Sequence, residues 1–340
     1  MPRKTKQNNI TSPELLERIN PDNKQLLEDY ILYLKSVQRS SQTIFSYKND
    51  LEIFFVWLLQ HAKNKFFVDI TKRDIIAFQN WLLTVNNNSP ARIRRLKSTL
   101  SSLGNYIEAM LDEEYPKFRN FINKIESPVN TPVREKTVLS DEQCSLLLKT
   151  LVDKKKYDKA CMVALAMSSG RRKAELVRFK VGYFDDENII YGSLYKTPEK
   201  IKTKGRGGGK MLTCYTMVKD FKPYFDLWMA DRKQKGIESE WLFPDKKDPA
   251  QHMSSDTLNS WAATYSNILG VPVYIHAFRH RFVTHLAVLG LPDNIIQAIL
   301  GWSDISLVAV YKDIDAEDEF ADYFNENGVI SKEKTDLSDL

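Results

Sequence analysis

At 340 residues, with 43% hydrophobic, 27% charged and 11% aromatic side chains, the chain is long enough for two ordinary domains and too apolar for wholesale disorder. The formal charge of +5 hides an asymmetry: residues 1–130 carry 19 Lys/Arg against 14 Asp/Glu, residues 131–311 carry 27 against 20, and residues 312–340 carry 3 against 10. A basic body with an acidic end suits a polyanion partner, since neutralising phosphates releases counterions, while a membrane span, which needs about 18 apolar residues in a row, is excluded.

Residues 1–22 are polar and aperiodic, without a secretory signal, and read as a flexible N-terminal arm too short to bury a core. Four helical patterns follow between about 23 and 125, with no convincing strand. Lys24 to Ser36 carries Leu26, Leu27, Tyr30, Ile31 and Leu34 at helical spacing. After a Ser40-Ser41 cap, Tyr47, Leu51, Phe54, Phe55 and Leu58 form one stripe. Thr71 and Asp74 resemble a capping box ahead of Ile75, Phe78, Trp81 and Leu82. Ser89-Pro90 opens the fourth helix, which runs through Ile93, Leu96, Leu100, Leu103, Tyr106 and Met110. Arg92, Arg94, Arg95 and Lys97 crowd its first two turns with no anion at i+4, which suits a face held against phosphates better than a merely solvated one. Residues 126–136, with Pro128 and Pro132, read as an interdomain linker. From 137 onward helices mix with a β-hairpin whose strands are expected over Asn188–Leu194 and Met211–Met217, the intervening basic, glycine-rich turn carrying Lys202, Lys204, Arg206 and Lys210. Residues 315–324 read as a short acidic helix with an apolar stripe, and 326–340 as an acidic tail.

Nucleotide and metal chemistry are disfavoured by spacing. In the glycine-rich turn, counting back from Gly209-Lys210 puts Lys204 where a P-loop needs glycine, and Met211 stands where it needs a hydroxyl. His276, His280 and His285 lie in one helical segment, but Arg279 and Arg281 interleave and no HExxH glutamate is present, which disfavours a dication. Cys144, Cys161 and Cys214 are odd in number and far apart, fitting a reducing cytosol rather than a disulfide scaffold or zinc knuckle.

Three boxes remain. Gly170-x-Arg172-x-x-Glu175-Leu176 follows an apolar helical run. His276-x-x-Arg279-His280 comes about a hundred residues later. Gly301-Trp302 is then followed, nine residues on, by Tyr311. Together and in this order they resemble the tyrosine recombinase (phage integrase) family, whose pattern is a TGxRxxEL-like box, a hairpin lysine, HxxRH, and LGH/W followed by the tyrosine. Thr43, Tyr47, Asp50, Leu51 and Phe54 also resemble the TxxxYxxDLxxF pattern of the family's helical core-binding domain, so the likeness covers roughly residues 23–325. Ser168-Ser169 replaces the commoner threonine, and Trp302 the commoner histidine, as in some members. Tyr274 and Tyr323 do not keep the step from Gly301-Trp302.

The resemblance implies two domains clamped on duplex DNA: an all-α, SAM-like four-helix core-binding domain over 23–125, and a mainly α catalytic domain over 137–325 with a small antiparallel sheet or hairpin. It implies site-specific strand exchange through a 3′-phosphotyrosyl intermediate and a Holliday junction, in the cytoplasm, without metal or nucleotide cofactor. Tyr311 is then the nucleophile, and Arg172 and Arg279 grip the phosphate with planar forks. Trp302 donates its indole N–H to the same phosphate, and His276 takes the phenol proton. A hairpin lysine, Lys204 in preference to Lys202, protonates the leaving 5′-oxygen, and His280 buttresses the arginines. Glu175 is expected as a partner for a nearby cation. Thr43, Arg92, Arg94, Arg95, Lys97, Lys202, Arg206, Lys210 and His280 are the candidate DNA contacts, and the C-terminal helix is expected to link protomers in a tetramer. A type IB topoisomerase, a DNA-binding regulator lacking catalysis, and a nuclease with a soluble intermediate are the alternatives. The nuclease would need metal ligands the sequence lacks, and the regulator a broken catalytic set.

Overall fold

The computed structural model describes residues 10–129, 139–203 and 209–311, together with the strands at 324–325 and 328–329; for 309–311 and those strands the description is of the backbone. Helix boundaries in the first half are set by side-chain caps. Ser12 caps α1 (Pro13–Arg18) and Asn20 caps α2 (Pro21–Ser36), each with proline in the first turn. Ser40 caps α3 (Ser41–His61), and the Thr71/Asp74 capping box opens α4 (Lys72–Thr84). Ser89 with Pro90 opens α5 (Pro90–Met110). The four helices expected after residue 23 are α2 to α5. Their apolar stripes converge on one core containing Leu26, Tyr30, Leu51, Phe54, Phe67, Phe78, Leu96, Leu100 and Leu103. Phe54 meets Phe78 edge-on at 4.9 Å between ring centroids.

Residues 13–22 are not the flexible arm expected. Residues 13–18 are helical and 19–20 lead into α2, because Ile10, Leu15 and Leu16 pack on that core and Ile19 is buried within it. Asn64 fastens the segment: its Nδ2 donates to the Arg18 carbonyl at 3.1 Å and its Oδ1 accepts from the Asn20 N–H at 2.9 Å. Such contacts span more than 40 residues and leave no trace in local periodicity.

The chain divides into two compact units, Arg3–Glu135 and Lys136–Lys204 with Lys210–Leu340. In the second, α6 (Asp141–Asp153), capped by a Ser140/Gln143 box, precedes α7 (Tyr157–Ser169). Every residue of α7 from Ala160 to Ser169 is buried, as befits a helix apolar on all sides. It is the spine of the unit, flanked by α6, α9 (Val218–Gln234) and α11 (Ile275–Val288). The short α8 (Lys173–Leu176) follows it; α10 (Thr257–Leu269), α12 (Asp293–Leu300) and α13 (Ser306–Tyr311) complete the helices.

Two small antiparallel sheets replace the single hairpin expected. β1 (Ile189–Ile190), β2 (Leu194–Lys196) and β5 (Tyr215–Met217) form one in the order β1-β2-β5, with Tyr195 opposite Thr216. β3 (Ile201–Lys202) and β4 (Met211–Leu212) pair separately, Lys202 opposite Met211. The expected strand Asn188–Leu194 is broken because Tyr191 and Gly192 both take positive φ, 53° and 66°, so the chain reverses and the Ser193 N–H returns to the Ile190 carbonyl. At the C-terminus, the helix expected over 315–324 lies outside the described residues except for Phe324. That residue is in a strand instead: β6 (Phe324–Asn325) pairs with β7 (Gly328–Val329).

Candidate active site

The site begins where α7 ends. Gly170 closes that helix with φ 60°, and a Cβ there would fall on the Phe282 ring of α11, so conformation and space both demand glycine. The turn it makes delivers Arg172 as the first residue before α8. The Arg172 N–H donates to Glu175 Oε2 at 3.1 Å and its Nη1 to Oε1 at 3.2 Å. Glu175 is 1% exposed, so this carboxylate sets Arg172 from below while the guanidinium stays partly open to solvent. Glu175 is thus the cation's partner expected of it.

On α11, His276, Arg279 and His280 are spaced three and four apart and share a face. Arg279 has no exposed surface; its Nη1 donates to the Gly170 carbonyl at 2.6 Å, and its guanidinium lies 4.9 Å from the Trp302 ring centroid. The His276 and His280 rings stand perpendicular, 5.4 Å apart. Burial pulls the His276 pKa down to about 4, with the Arg279, His280 and Arg172 charges acting in the same direction. An imidazole in that state is neutral at pH 7 and able to accept a proton. Arg172 is felt at His276 although about a hundred residues separate them in the chain.

The third box follows α12. Gly301 ends that helix with φ 65°, and a Cβ there would stand 2.5 Å from Leu212 of β4. Trp302 is 6% exposed and packs with Phe282, Leu300 and Val308. Tyr311 is the last residue of α13, which packs against α11 and α12, so the backbone that bears it belongs to the same cluster.

Arg172, His276, Arg279, His280 and Trp302 are therefore brought together. Lys204 and Arg206 lie outside the described residues. Lys202 is exposed on β3, its carbonyl held by Arg178 Nη1 at 2.5 Å. Lys210 reaches the site's edge, where its ammonium donates to the Gly301 carbonyl at 3.3 Å.

In the first unit, the basic face of α5 is not without an anion, as i,i+4 spacing alone suggested. Asp50 on α3, 1% exposed, accepts from Arg92 at 2.7 Å and lies 3.5 Å from Arg95. Arg94 donates to the Pro128 carbonyl, and Lys97, nearly buried, donates to Ser127 Oγ at 3.0 Å. Burial, with Arg94 beside it, lowers the Lys97 pKa. The Thr43 hydroxyl sits 2.8 Å from Ser40 Oγ at the start of α3. Sequence reasoning also passed over Arg171, which is almost wholly buried and donates to the Ile299 carbonyl. A second arginine directly after a helix-ending glycine was the only available signal.

Residues 137–318 match the model of the phage integrase family. Among curated proteins, the chain is 28% identical over 278 residues to the SPbeta prophage-derived recombinase-like protein YomM of Bacillus subtilis, covering 79% of this chain and 80% of that one. It is 26% identical to the tyrosine recombinase XerD of Haemophilus ducreyi, covering 87% and 94%. Among solved structures, the fold resembles that of the XerH site-specific recombinase in a post-cleavage complex with its palindromic difH substrate, with a TM-score of 0.63 at 16% identity, over 90% of this chain and 97% of that one.

Proposed function

Because the chain belongs to the phage integrase family, we propose that it is a site-specific DNA recombinase that cuts duplex DNA through a 3′-phosphotyrosyl bond to Tyr311 and rejoins strands by way of a Holliday junction. The observation that carries the reading is the clustering of Arg172, Arg279, His276 and Trp302 beside the helix that ends in Tyr311. In-line displacement at a phosphodiester builds negative charge on the non-bridging oxygens, and two preplaced guanidinium groups stabilise it. Each presents a planar fork, which lysine lacks.

The phenol oxygen forms its bond to phosphorus as the bond to the 5′-oxygen breaks. A phenol is a weak nucleophile near its ordinary pKa of about 10, and neutral His276 is the group suited to take its proton. The 5′-oxygen leaves as a hydroxyl, its proton supplied by a hairpin lysine, Lys204 or Lys202. A 5′-hydroxyl of another strand then reverses the sequence and releases Tyr311, so bond energy is conserved and no nucleotide is consumed. Lys210, Arg206, Thr43 and the α5 cations Arg94, Arg95 and Lys97 are proposed to hold the flanking phosphates, whereas Arg92 is taken up by the buried Asp50. The working assembly is proposed to be a tetramer on paired DNA sites in the cytoplasm, its protomers joined through the segment after Tyr311.

Covalent capture tests this. Duplexes with a randomised core and a nick on the 3′ side of the cut trap the adduct, because the short 5′-hydroxyl fragment diffuses away. The expected result is a denaturant-resistant adduct whose peptide mass maps to Tyr311, absent in Tyr311→Phe, and, with un-nicked duplexes that keep their 5′-hydroxyl strands, four-way junctions between paired sites. An adduct that persists in Tyr311→Phe overturns the assignment of the nucleophile. Relaxation of supercoils with no junctions assigns the chemistry to a topoisomerase instead.

A further inference from the structure

Arg171 lies between Gly170 and Arg172 in the first box, and the proposed chemistry does not use it. It is 1% exposed, among the most buried large side chains in the protein. Its Nη2 donates to the carbonyl of Ile299, in the last turn of α12, 128 residues away. Among the described residues its Nε and Nη1 find no hydrogen-bond partner and its charge no carboxylate within ion-pair distance. A buried guanidinium so sparsely satisfied is costly, and an apolar side chain of similar volume would pack there without that cost. A charge that is disadvantageous for packing at this point calls for another role.

Its position supplies one. The preceding residue, Gly170, gives its carbonyl to Arg279, and the following residue, Arg172, is set by Glu175. Three residues beyond Ile299, past Leu300 and Gly301, stands Trp302, whose ring faces the Arg279 guanidinium. The bond from Arg171 therefore closes a ring of contacts: from the turn, through α11, to Trp302, and back along α12 to the turn. The negative end of the α12 dipole favours a cation at that place. Cys214, whose thiol burial pushes up to about 11, feels Arg171, Glu175 and Arg279 together, which puts all three beneath the same floor.

We propose that Arg171 is a positioning residue for strand transfer: by tying the turn that presents Arg172 to the carbonyl end of α12, it holds Trp302 and the following helix in register with the phosphate-gripping arginines. This rests on the strand-transfer reading above. The geometry distinguishes it from a stability element, since the bond joins two parts of the site rather than two parts of the core.

The test uses the full chain with the nicked duplex captured by the wild type. Single-turnover adduct formation is followed against DNA concentration for the wild type, Arg171→Met and Arg171→Lys, alongside thermal unfolding. In Arg171→Met, the maximal rate at saturating DNA is expected to fall tenfold or more. The half-saturating concentration should stay within about twofold and the unfolding midpoint within a few degrees. Arg171→Lys, which keeps the charge and one donor, is expected to recover part of that rate. If Arg171→Met does not fold, Arg171→Lys carries the test through a reduced maximal rate in a folded protein. Wild-type rates in a folded variant overturn the proposal, as does a loss confined to DNA affinity. Unfolding of both variants also overturns it, since Arg171 is then a stability element. Failure of the wild type itself to form an adduct overturns the strand-transfer reading rather than this one.

Discussion

Replacing Gly170 by alanine separates two physical effects that meet at the turn before Arg172. The residue has φ 60°, and an alanine held in that left-handed region costs about 1–2 kcal/mol. The added methyl also falls on the Phe282 ring, which is 2% exposed and enclosed by Val283, Leu286 and Trp302, so the ring cannot swing into solvent. Overpacking of this kind costs a further 1–3 kcal/mol or so. The sum is about 2–5 kcal/mol, or very roughly a 4–20 °C fall in unfolding midpoint for a unit of about 200 residues. Gly270 supplies the control. It ends α10 with φ 70°, the same capping role, but no described residue comes within 4 Å of where its Cβ would stand. Gly270→Ala should therefore show only the backbone cost. Thermal and urea unfolding of both variants measure the difference, and pairing Gly170→Ala with Phe282→Leu should return part of the steric loss. Because the Gly170 carbonyl anchors Arg279, adduct formation by folded Gly170→Ala should fall at least tenfold, whereas Gly270→Ala should cleave normally. Equal destabilisation by the two alanines would refute the reasoning.

His276 should remain neutral down to about pH 4, as followed by its ring-proton chemical shift with His276→Gln to assign the signal. The unfolded chain binds a proton at an ordinary histidine pKa of about 6.5, so between pH 6.5 and 4 the unfolded state holds more protons and stability falls as pH falls. The difference would be about 3 kcal/mol for a fully buried ring, and about 1–2 kcal/mol once partial solvent screening at this half-buried site is allowed for. Titration near 6.5 would remove the case for a neutral acceptor. On α5, Arg95→Ala should reduce the steepness of the salt dependence of DNA binding by about one unit with little change in stability. Arg92→Ala should instead lower stability by about 1–3 kcal/mol, because it strips the buried Asp50 of its nearest cation. If the two variants exchange these phenotypes, the division between DNA-facing and fold-holding cations is wrong.

What could be read in the sequence was what is encoded locally. The caps at Ser40, Thr71 and Ser89 each use a side chain within three residues of the N–H it satisfies, and all three appear in the structure as expected. The ordered boxes around Arg172, His276, Arg279 and Trp302 were legible because each keeps a fixed short spacing, although only the fold reveals that Arg279 reaches the Gly170 carbonyl across 109 positions. Features that depend on distant partners were not legible. Ile10, Leu15, Leu16 and Ile19 look like sporadic apolar residues until Asn64 fastens their helix to the core. Asp50 neutralises Arg92 from another helix, which no i,i+4 count detects. The break in the expected strand hangs on Tyr191 taking a positive φ, a conformation that its residue type gives no reason to anticipate.

Three of the cations around the site share a form of anchorage that bears on how the site works, while Arg172 is set by the Glu175 carboxylate. Arg279 donates to Gly170, the residue that ends α7; Arg171 donates to Ile299 in the last turn of α12; Lys210 donates to Gly301, which ends the same helix. The final carbonyls of a helix lack intrahelical donors and carry the negative end of its dipole, so each is a natural seat for a positive group. A carbonyl also holds a cation without cancelling its charge, whereas Asp50 under Arg92, or Glu199 and Glu240 around Lys180, largely balance theirs. Positive charge fixed in this way is available to a phosphate that arrives later, and little reorganisation remains when the reaction's charge develops. In the proposed reaction the helix ends therefore help to place the charge that meets the phosphate. Gly170 and Gly301, which close α7 and α12 in the left-handed conformation and have no side chains of their own, set where the cations stand as directly as the arginine stems do.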